Sequence, residues 1–171
     1  MSLRTIMIFP KFENIGYIDR IRTLYDPLAS LVRPHITLVF PFESPVTDEE
    51  LREIMHNRLQ LVRPFELCMH GISCHTDASG HYLFLNVQQG EEKLHAIHRS
   101  FYQHEFRDYE HSFPYVPHMT VGRLPDARQL NAAYEEVRAM TAVFHTVVDT
   151  VSVEMIGEHE ESIIILEHRL G

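Results

Sequence analysis

Two short segments of this sequence carry the same pair of chemically active side chains. Pro-His-Ile-Thr-Leu occupies positions 34–38 and Pro-His-Met-Thr-Val occupies positions 117–121. In a β-strand alternate side chains share one face, so each segment presents an imidazole and a hydroxyl together and turns its apolar residues to the other face. Two imidazoles flanking one phosphorus atom suit in-line displacement, because one takes a proton from the attacking oxygen and the other gives one to the leaving oxygen. The segments therefore predict acid–base chemistry at a phosphate.

The four side chains have separate expected roles. His35 and His118 are the candidate acid and base, since an imidazole titrates near pH 6.5 and both of its forms coexist around neutrality. The hydroxyls of Thr37 and Thr120 are candidate donors to the non-bridging phosphate oxygens. This scheme needs neither a metal nor another cofactor, and we expect none. For one segment alone, a strand histidine satisfied by its neighbours is the alternative. The repetition of the pair favours chemistry, although it leaves open which histidine is the acid.

The elements predicted around these segments repeat in the two halves of the chain. Periodicity predicts the order β-α-β-α-β, followed from about Gly80 by a second β-α-β-α-β. The corresponding segments are LRTIMIF and HYLFLNV, RPHITLVF and VPHMTVGR, and TDEELREIMHNRL and DARQLNAAYEEVR. Such a duplication predicts two lobes related by a pseudo-twofold axis, with a ligand site between them. We therefore expect one domain over 1–171 with a bilobal α+β fold. Its lobes cover roughly 1–79 and 80–171 with strand exchange allowed, antiparallel sheets line a central groove, and helices lie outside.

Three local features are predicted with definite bounds. Asn14 is the expected N-cap of a helix over 15–25. Thr47 and Glu50 have the spacing of a capping box at the start of the next helix in the chain. A single strand is expected over 143–155, where β-branched residues predominate.

The composition is that of an ordinary globular protein with an acidic surplus. Of 171 residues, 44% are hydrophobic and 23% are charged, and the net charge is −9. That charge repels duplex DNA, so a small anionic substrate is the expected partner. No apolar run is long enough for a membrane span, so we expect no membrane association. Cys68 and Cys74 lie about 20 Å apart in one predicted strand, too far for a disulfide, and buried thiols in the cytoplasm are expected. The oligomeric state is not predictable.

The paired motifs resemble those of the 2H phosphoesterase superfamily, which includes the bacterial 2′-5′ RNA ligase-like proteins and the cyclic nucleotide phosphodiesterases. The opening RTIMIFP strand and the PHMTVGR segment belong to the resemblance, and YDPLASLVRPHITL and YVPHMTVG are most similar to its compact bacterial branch. The resemblance implies a bilobal α+β fold and metal-independent chemistry in RNA processing, on 2′,3′-cyclic or 2′-5′ phosphodiester ends of RNA or small nucleotides. It implies that His35 and His118 are catalytic and that Thr37 and Thr120 bind the phosphate. The natural substrate does not follow from it.

Four further residues are candidates for substrate binding. Arg123 matches the arginine often found after the second motif of the family, but strand alternation places it on the face opposite His118. Phe113 and Tyr115, next to the second motif, could stack a base, and Phe9 is a similar candidate at the end of the first strand. Simple packing of these aromatic rings is the alternative.

Two other classes of function compete with this prediction. Glu53 with His56, and Glu92 with His95, have the Glu-x-x-His spacing of di-iron proteins. The apolar residues of both helices place these pairs outward, and the strands leave no room for a four-helix bundle, so surface pairs are expected. A non-catalytic module that binds nucleotides or RNA ends is the other alternative, but it has no need of two proton-transfer groups. Ligation, the reverse of cleavage, uses the same groups and stays open.

Overall fold

The computed structural model describes residues 2–171, which form two antiparallel sheets and four α-helices. The strands are β1 (Leu3–Ile8), β2 (Ile36–Glu43), β3 (Phe65–Asp77), β4 (Gly80–Gln89), β5 (His118–Leu124), β6 (Phe144–Val148), β7 (Thr150–Ile156) and β8 (Ser162–Arg169). The helices are α1 (Gly16–Tyr25), α2 (Asp48–Leu59), α3 (Glu91–Tyr102) and α4 (Ala127–Val137). A short 3-10 turn over Arg107–Tyr109 follows α3.

Each sheet draws strands from both halves of the chain. The first sheet has the order β2-β1-β7-β8, and the second has the order β5-β4-β3-β6. The two orders match position by position when β1 corresponds to β4 and β2 to β5, as a pseudo-twofold relation requires. The predicted bilobal α+β fold is therefore confirmed, with β3 in the sheet of the second half and β7 and β8 in the sheet of the first.

The helices pack against strands on the outside of the two sheets. α2 packs on β8 and α4 packs on β3 and β4, whereas α1 packs on β5 and α3 packs on β2. Each of α1 and α3 thus supports the edge strand of the other half. The apolar residues of these edge strands enter the core, where four are fully buried: Ile36, Leu38, Met119 and Val121. Within residues 2–171, no helix is long and apolar enough to cross a bilayer.

The single strand predicted over 143–155 is wrong, because the structure divides it into β6 and β7. β6 pairs with β3 in the second sheet, and after Asp149 the chain continues as β7, which pairs with β1 in the first sheet. The segment has β-branched residues on both sides of the crossing and no glycine or proline at it. The signals that usually mark the end of a strand are therefore missing.

One of the two predicted helix starts is confirmed. The side chains of Thr47 and Glu50 form both hydrogen bonds of the capping box at the start of α2. Asn14 does not cap α1, which begins after Ile15 with no side-chain cap. The Asn14 amide instead donates to the carbonyl oxygen of Val143 at 3.0 Å, so a tertiary contact takes the place of the cap.

The predicted burial of the cysteine thiols is also wrong. Both thiols are free, but Cys68 is half-buried and Cys74 is exposed. The exposure of Cys74 follows from the length of β3, whose 13 residues end in a run of exposed residues that pairs only with β4.

Candidate active site

The strands that carry the two His-x-Thr segments are neighbours in space. β2 and β5 are edge strands of different sheets, and they contact each other across the groove. In each segment the histidine and threonine side chains are half-buried while the residue between them is fully buried, which is the predicted alternation. His35 and His118 are close enough that a positive charge on His118 lowers the pKa of His35. The fold thus brings both segments to one place.

The same kind of hydrogen bond orients both imidazoles. Nδ1 of His35 lies 2.8 Å from the carbonyl oxygen of Arg33, and Nδ1 of His118 lies 2.7 Å from that of Val116. Because a carbonyl oxygen only accepts, Nδ1 carries the proton in both rings. The neutral form of each imidazole therefore has its lone pair on Nε2, where it can exchange a proton with a ligand.

Burial lowers the pKa of both His35 and His118 below the ordinary histidine value, because the surrounding protein disfavours the charged ring. The carbonyl that accepts from each ring has the opposite, smaller effect. Two nearby charges have opposite effects on the pKa of His35, because Arg22 lowers it and Asp26 raises it. These two residues form a buried ion pair in which Nε of Arg22 donates to Asp26 at 2.9 Å. Both imidazoles are thus mainly neutral at pH 7 in the free protein. A bound phosphate would favour protonation of one of them through its negative charge.

The two threonine hydroxyls are available to a ligand. Thr37 pairs with Met7 of β1, and Thr120 pairs with Phe84 of β4, so the two hydroxyls occupy equivalent places in their sheets. Both side chains are half-buried. Neither hydroxyl is a fully buried atom that lacks a hydrogen-bond partner. A hydroxyl beside a neutral imidazole can donate to a phosphate oxygen without competing for the proton on Nδ1.

A β-bulge follows the threonine in both strands. The register to the neighbouring strand shifts at this point in each sheet, so two consecutive residues face the core instead of one. These residues are Leu38 and Val39 in β2, and Val121 and Gly122 in β5, and all four are buried. The bulge returns the next residue to the groove side. That residue is Phe40 in β2 and Arg123 in β5.

The face predicted for Arg123 is therefore wrong. Arg123 pairs with Tyr82, and its guanidinium carbon lies 6.0 Å from the centre of that ring. Tyr82 stacks with Phe84 at 5.9 Å between ring centres, and Phe84 stacks on His118 at 3.7 Å. Arg123 thus lies on the same face as His118, with two aromatic rings between them. Simple alternation could not show this, because a bulge leaves no clear mark in the sequence.

Tyr115 is packed between α3 and β2. Its hydroxyl donates to the carbonyl oxygen of Thr37 at 2.8 Å. One face of its ring stacks on His98 at 3.8 Å between ring centres, and the Nδ1–H of His98 donates to the carbonyl oxygen of Leu38 at 2.8 Å. These contacts satisfy backbone groups on the open edge of β2. The surroundings of Tyr115 thus indicate a role in holding the first motif.

The rings of Phe113 and Phe9 are at least partly exposed to solvent. Phe113 is 54% exposed and contacts Phe40 edge to face, with ring centres 5.5 Å apart. Phe9 is half-buried, with its ring centre 6.1 Å from that of His35 and 4.4 Å from the guanidinium carbon of Arg33. Both rings lie beside the groove, and the exposed Phe113 ring offers the larger surface to a base.

The sequence analysis missed Phe84, which covers one face of the His118 ring. Alternation in HYLFLNV puts Phe84 and Tyr82 on one face, and the repeat aligns this strand with β1. However, the aligned segments set Phe84 against the buried Ile6, whereas the strand pairing makes it equivalent to Met7, because Met7 pairs with Thr37 and Phe84 with Thr120. The predicted alignment of these two strands is thus wrong by one residue, and the place of Phe84 depends on the register of β4 with β5.

The Glu-x-x-His pairs lie on the surface, as predicted. Glu53 and His56 are exposed on α2, and on α3 Glu92 is exposed and His95 is half-buried. In the described part of the chain, no three His, Cys, Asp or Glu side chains are grouped so that they could hold a metal ion. These positions give no support to a di-iron site.

Comparison with protein families gives a match along most of the chain. The model of the 2′-5′ RNA ligase superfamily matches residues 10–159. A Bacillus mycoides (strain KBAB4) protein named "Putative phosphoesterase" is 33% identical over 129 residues, which are 71% of this chain and 70% of the relative. A Geobacillus thermodenitrificans protein of the same name is 28% identical over 148 residues, which are 84% of this chain and 82% of the relative.

Solved structures share the fold at low sequence identity. Escherichia coli LigT complexed with 3′-AMP has a TM-score of 0.65 and 13% identity, and the match covers 99% of this chain and 98% of LigT. The protein TT0787 of Thermus thermophilus has a TM-score of 0.67 and 15% identity, and the match covers 98% of this chain and 97% of that protein.

Proposed function

The chain belongs to the 2′-5′ RNA ligase superfamily, and we propose that it is a phosphoesterase for a 2′,3′-cyclic phosphate or a 2′-5′ phosphodiester in an RNA end or a small nucleotide. One observation carries the proposal. His35 and His118 lie on neighbouring edge strands, and each donates Nδ1–H to a backbone carbonyl, so both rings have Nε2 free for proton transfer.

The proposed reaction moves two protons. Nε2 of one neutral imidazole takes a proton from water as the water oxygen bonds to phosphorus. Nε2–H of the other, protonated imidazole gives a proton to the ribose oxygen as its bond to phosphorus breaks. The two histidines end with their charges exchanged, and solvent restores the starting state. Joining of two ends uses the same groups with a ribose hydroxyl in place of water. The hydroxyl gives its proton to the neutral imidazole as its oxygen bonds to the phosphorus of a 2′,3′-cyclic end, and the ring oxygen that leaves phosphorus takes the proton of the other imidazole.

The remaining residues of the site bind the substrate. The hydroxyls of Thr37 and Thr120 donate to its non-bridging oxygens, where negative charge increases in the transition state. Arg123 is separated from His118 by Tyr82 and Phe84, so its proposed role is contact with a part of the substrate away from the reacting phosphate. Since side chains supply the proton transfers and the hydrogen bonds to the phosphate, the proposed mechanism works without a metal ion.

The fold is compatible with a nucleotide as substrate. The structurally similar LigT has been solved in complexes with ATP and with 3′-AMP. In this chain the exposed Phe113 ring and the Phe9 ring lie beside the groove, where they could stack on a base. The cytoplasm, expected from the sequence, stays the proposed location.

The test is turnover of a substrate panel in excess EDTA. The panel contains the four nucleoside 2′,3′-cyclic phosphates and a set of 2′-5′-linked dinucleotides. The variant His35→Ala/His118→Ala is measured beside the wild type, with a thermal melt to show that it is folded. Product from the wild type alone supports the proposal, and the substrate that reacts identifies the bond.

The outcomes separate the alternatives. Nucleotide binding in the groove without any product would favour a non-catalytic binding module. Activity that returns only when a metal ion is restored would contradict the metal-free mechanism.

A further inference from the structure

A cavity of about 520 Å³ lies near His35. It is lined by the ends of β1, β7 and β8, by β6, and by Arg33 just before β2. Phe9 also lines this cavity, and its ring centre lies 6.1 Å from that of His35. Phe9 thus lies next to both the cavity and the first histidine.

Two cations, Arg33 and Lys11, line the cavity together with Phe9. The guanidinium carbon of Arg33 lies 4.4 Å from the centre of the Phe9 ring. The backbone carbonyl of Lys11 accepts a hydrogen bond from the Thr146 hydroxyl at 3.0 Å, which holds the Lys11 backbone at the wall of the cavity. Neither cation forms a salt bridge with any residue from 2 to 171. Both are therefore free to meet an anion.

The cavity lining has three cations, Lys11, Arg33 and Arg169, and two carboxylates, Asp149 and Glu167. Asp149 accepts a hydrogen bond from Thr150 at 2.8 Å and pairs with Arg169 at 3.7 Å. Glu167 is on β8, which is two strands from β1 and thus about 10 Å away across the sheet. The cavity therefore has a positive surplus, although the chain as a whole has a net charge of −9.

The chemistry of Lys11 and Arg33 suits a phosphoryl group. A guanidinium offers two parallel donors to phosphate oxygens, and an ammonium adds a compact charge. The net negative charge of the protein opposes the approach of a nucleotide, so cations that line the cavity should have a large effect on substrate binding.

We propose that Lys11 and Arg33 bind a second phosphoryl group of the substrate while His35 and His118 flank the first. The inference rests on the proposed function and narrows its substrate to nucleotides or RNA ends with two phosphoryl groups. The second group is either the 5′-phosphate of the same nucleotide or the adjacent phosphodiester of an RNA end.

The test compares three substrates that differ in this group: adenosine 2′,3′-cyclic phosphate, its 5′-phosphorylated form, and the dinucleotide ApA with a 2′,3′-cyclic end. We expect wild-type kcat/KM to be at least about tenfold higher for one of the two-phosphate substrates than for the first, which corresponds to about 1.4 kcal/mol. Lys11→Gln and Arg33→Gln should each lower this ratio, and the double variant should bring it to about one. Lys93→Gln and Arg99→Gln are the matched controls, because each removes a charge of the same kind from α3, outside the cavity. Both should keep the wild-type ratio.

The results distinguish this inference from the proposed function. A wild-type ratio near one, or a ratio that survives in the double variant, overturns the second phosphate site while the turnover itself upholds the phosphoesterase. No turnover of any of the three substrates overturns the inference, and the 2′-5′-linked dinucleotides then decide the proposed function. The two-phosphate substrate that shows the high ratio identifies the source of the second group.

Discussion

The hydroxyl of Tyr115 donates a hydrogen bond of 2.8 Å to the backbone carbonyl of Thr37. The next residue, Val116, accepts the Nδ1–H of His118 at 2.7 Å. Two consecutive residues thus hold a threonine of one motif and the histidine of the other. This segment fixes the distance between the motifs, on which transfer of two protons around one phosphate depends.

Tyr115→Phe should therefore reduce kcat more than it changes KM. The variant keeps the ring stacked on His98 and loses only the hydrogen bond to Thr37, so we expect kcat to fall about tenfold and stability to fall by about 1 kcal/mol. Steady-state kinetics and urea unfolding measure the two effects.

Tyr109→Phe is the matched control for this substitution. The Tyr109 hydroxyl donates to the carbonyl of Glu43 at 2.8 Å, at the far end of the same strand. Tyr109→Phe should lower the free energy of unfolding by a similar amount and leave kcat near the wild-type value. Equal losses of kcat in the two variants would show that Tyr115 has no specific effect on the motifs.

Gly122→Ala should destabilise the protein and disturb the second motif. A Cβ at this position would lie 3.0 Å from the Leu83 side chain and 3.1 Å from Cβ of Tyr25, where α1 packs against β5. We expect a loss of about 1–3 kcal/mol in the free energy of unfolding and a lower kcat, because the adjacent bulge orients Thr120. Gly16→Ala, where a Cβ would meet nothing within 4 Å, should not destabilise. A Gly122 variant as stable as the Gly16 variant would contradict the close packing of α1.

The half-buried histidines should make the protein less stable in acid. Burial lowers the pKa of His35 and His118 in the folded state, whereas the unfolded chain titrates near pH 6.5. Above pH 6.5 the rings are mainly neutral in both states. Below it the unfolded chain binds protons first, so the free energy of unfolding falls until the folded pKa values are reached.

The variant His35→Gln/His118→Gln should therefore lose less stability than the wild type between pH 7.5 and 5.5. Each imidazole contributes up to about 1.4 kcal/mol per pH unit within this window. Urea unfolding at the two pH values gives the difference. His104→Gln, which removes an exposed imidazole, should follow the wild type. Equal losses in the double variant and the wild type would mean that the two rings titrate normally.

The site was more predictable from the sequence than the register of its strands. The alternation that put His35 and Thr37 on one face also buried Ile36, and the duplicated segment led to the same arrangement around Met119. These features depend on neighbours along the chain and on a pattern that occurs twice.

The features that the sequence did not predict depend on contacts between distant segments. The bulge that turns Arg123 to the groove follows from the register of β5 on β4, and the crossing at Asp149 follows from pairing with two sheets. Asn14 has the residue type of a cap but bonds to Val143, which is far away in sequence. Local patterns carry no information about such partners.

The paired-imidazole mechanism is tested most directly by single histidine substitutions assayed in EDTA on the best substrate of the panel. His35→Ala and His118→Ala should each abolish turnover while keeping the fold, and His104→Ala should retain it. Thr37→Ala and Thr120→Ala should lose about 10–1000-fold, because each removes one transition-state hydrogen bond. The pH dependence of wild-type kcat/KM should be bell-shaped, with both limbs set by imidazoles. A folded His35→Ala or His118→Ala variant with full activity would contradict the mechanism.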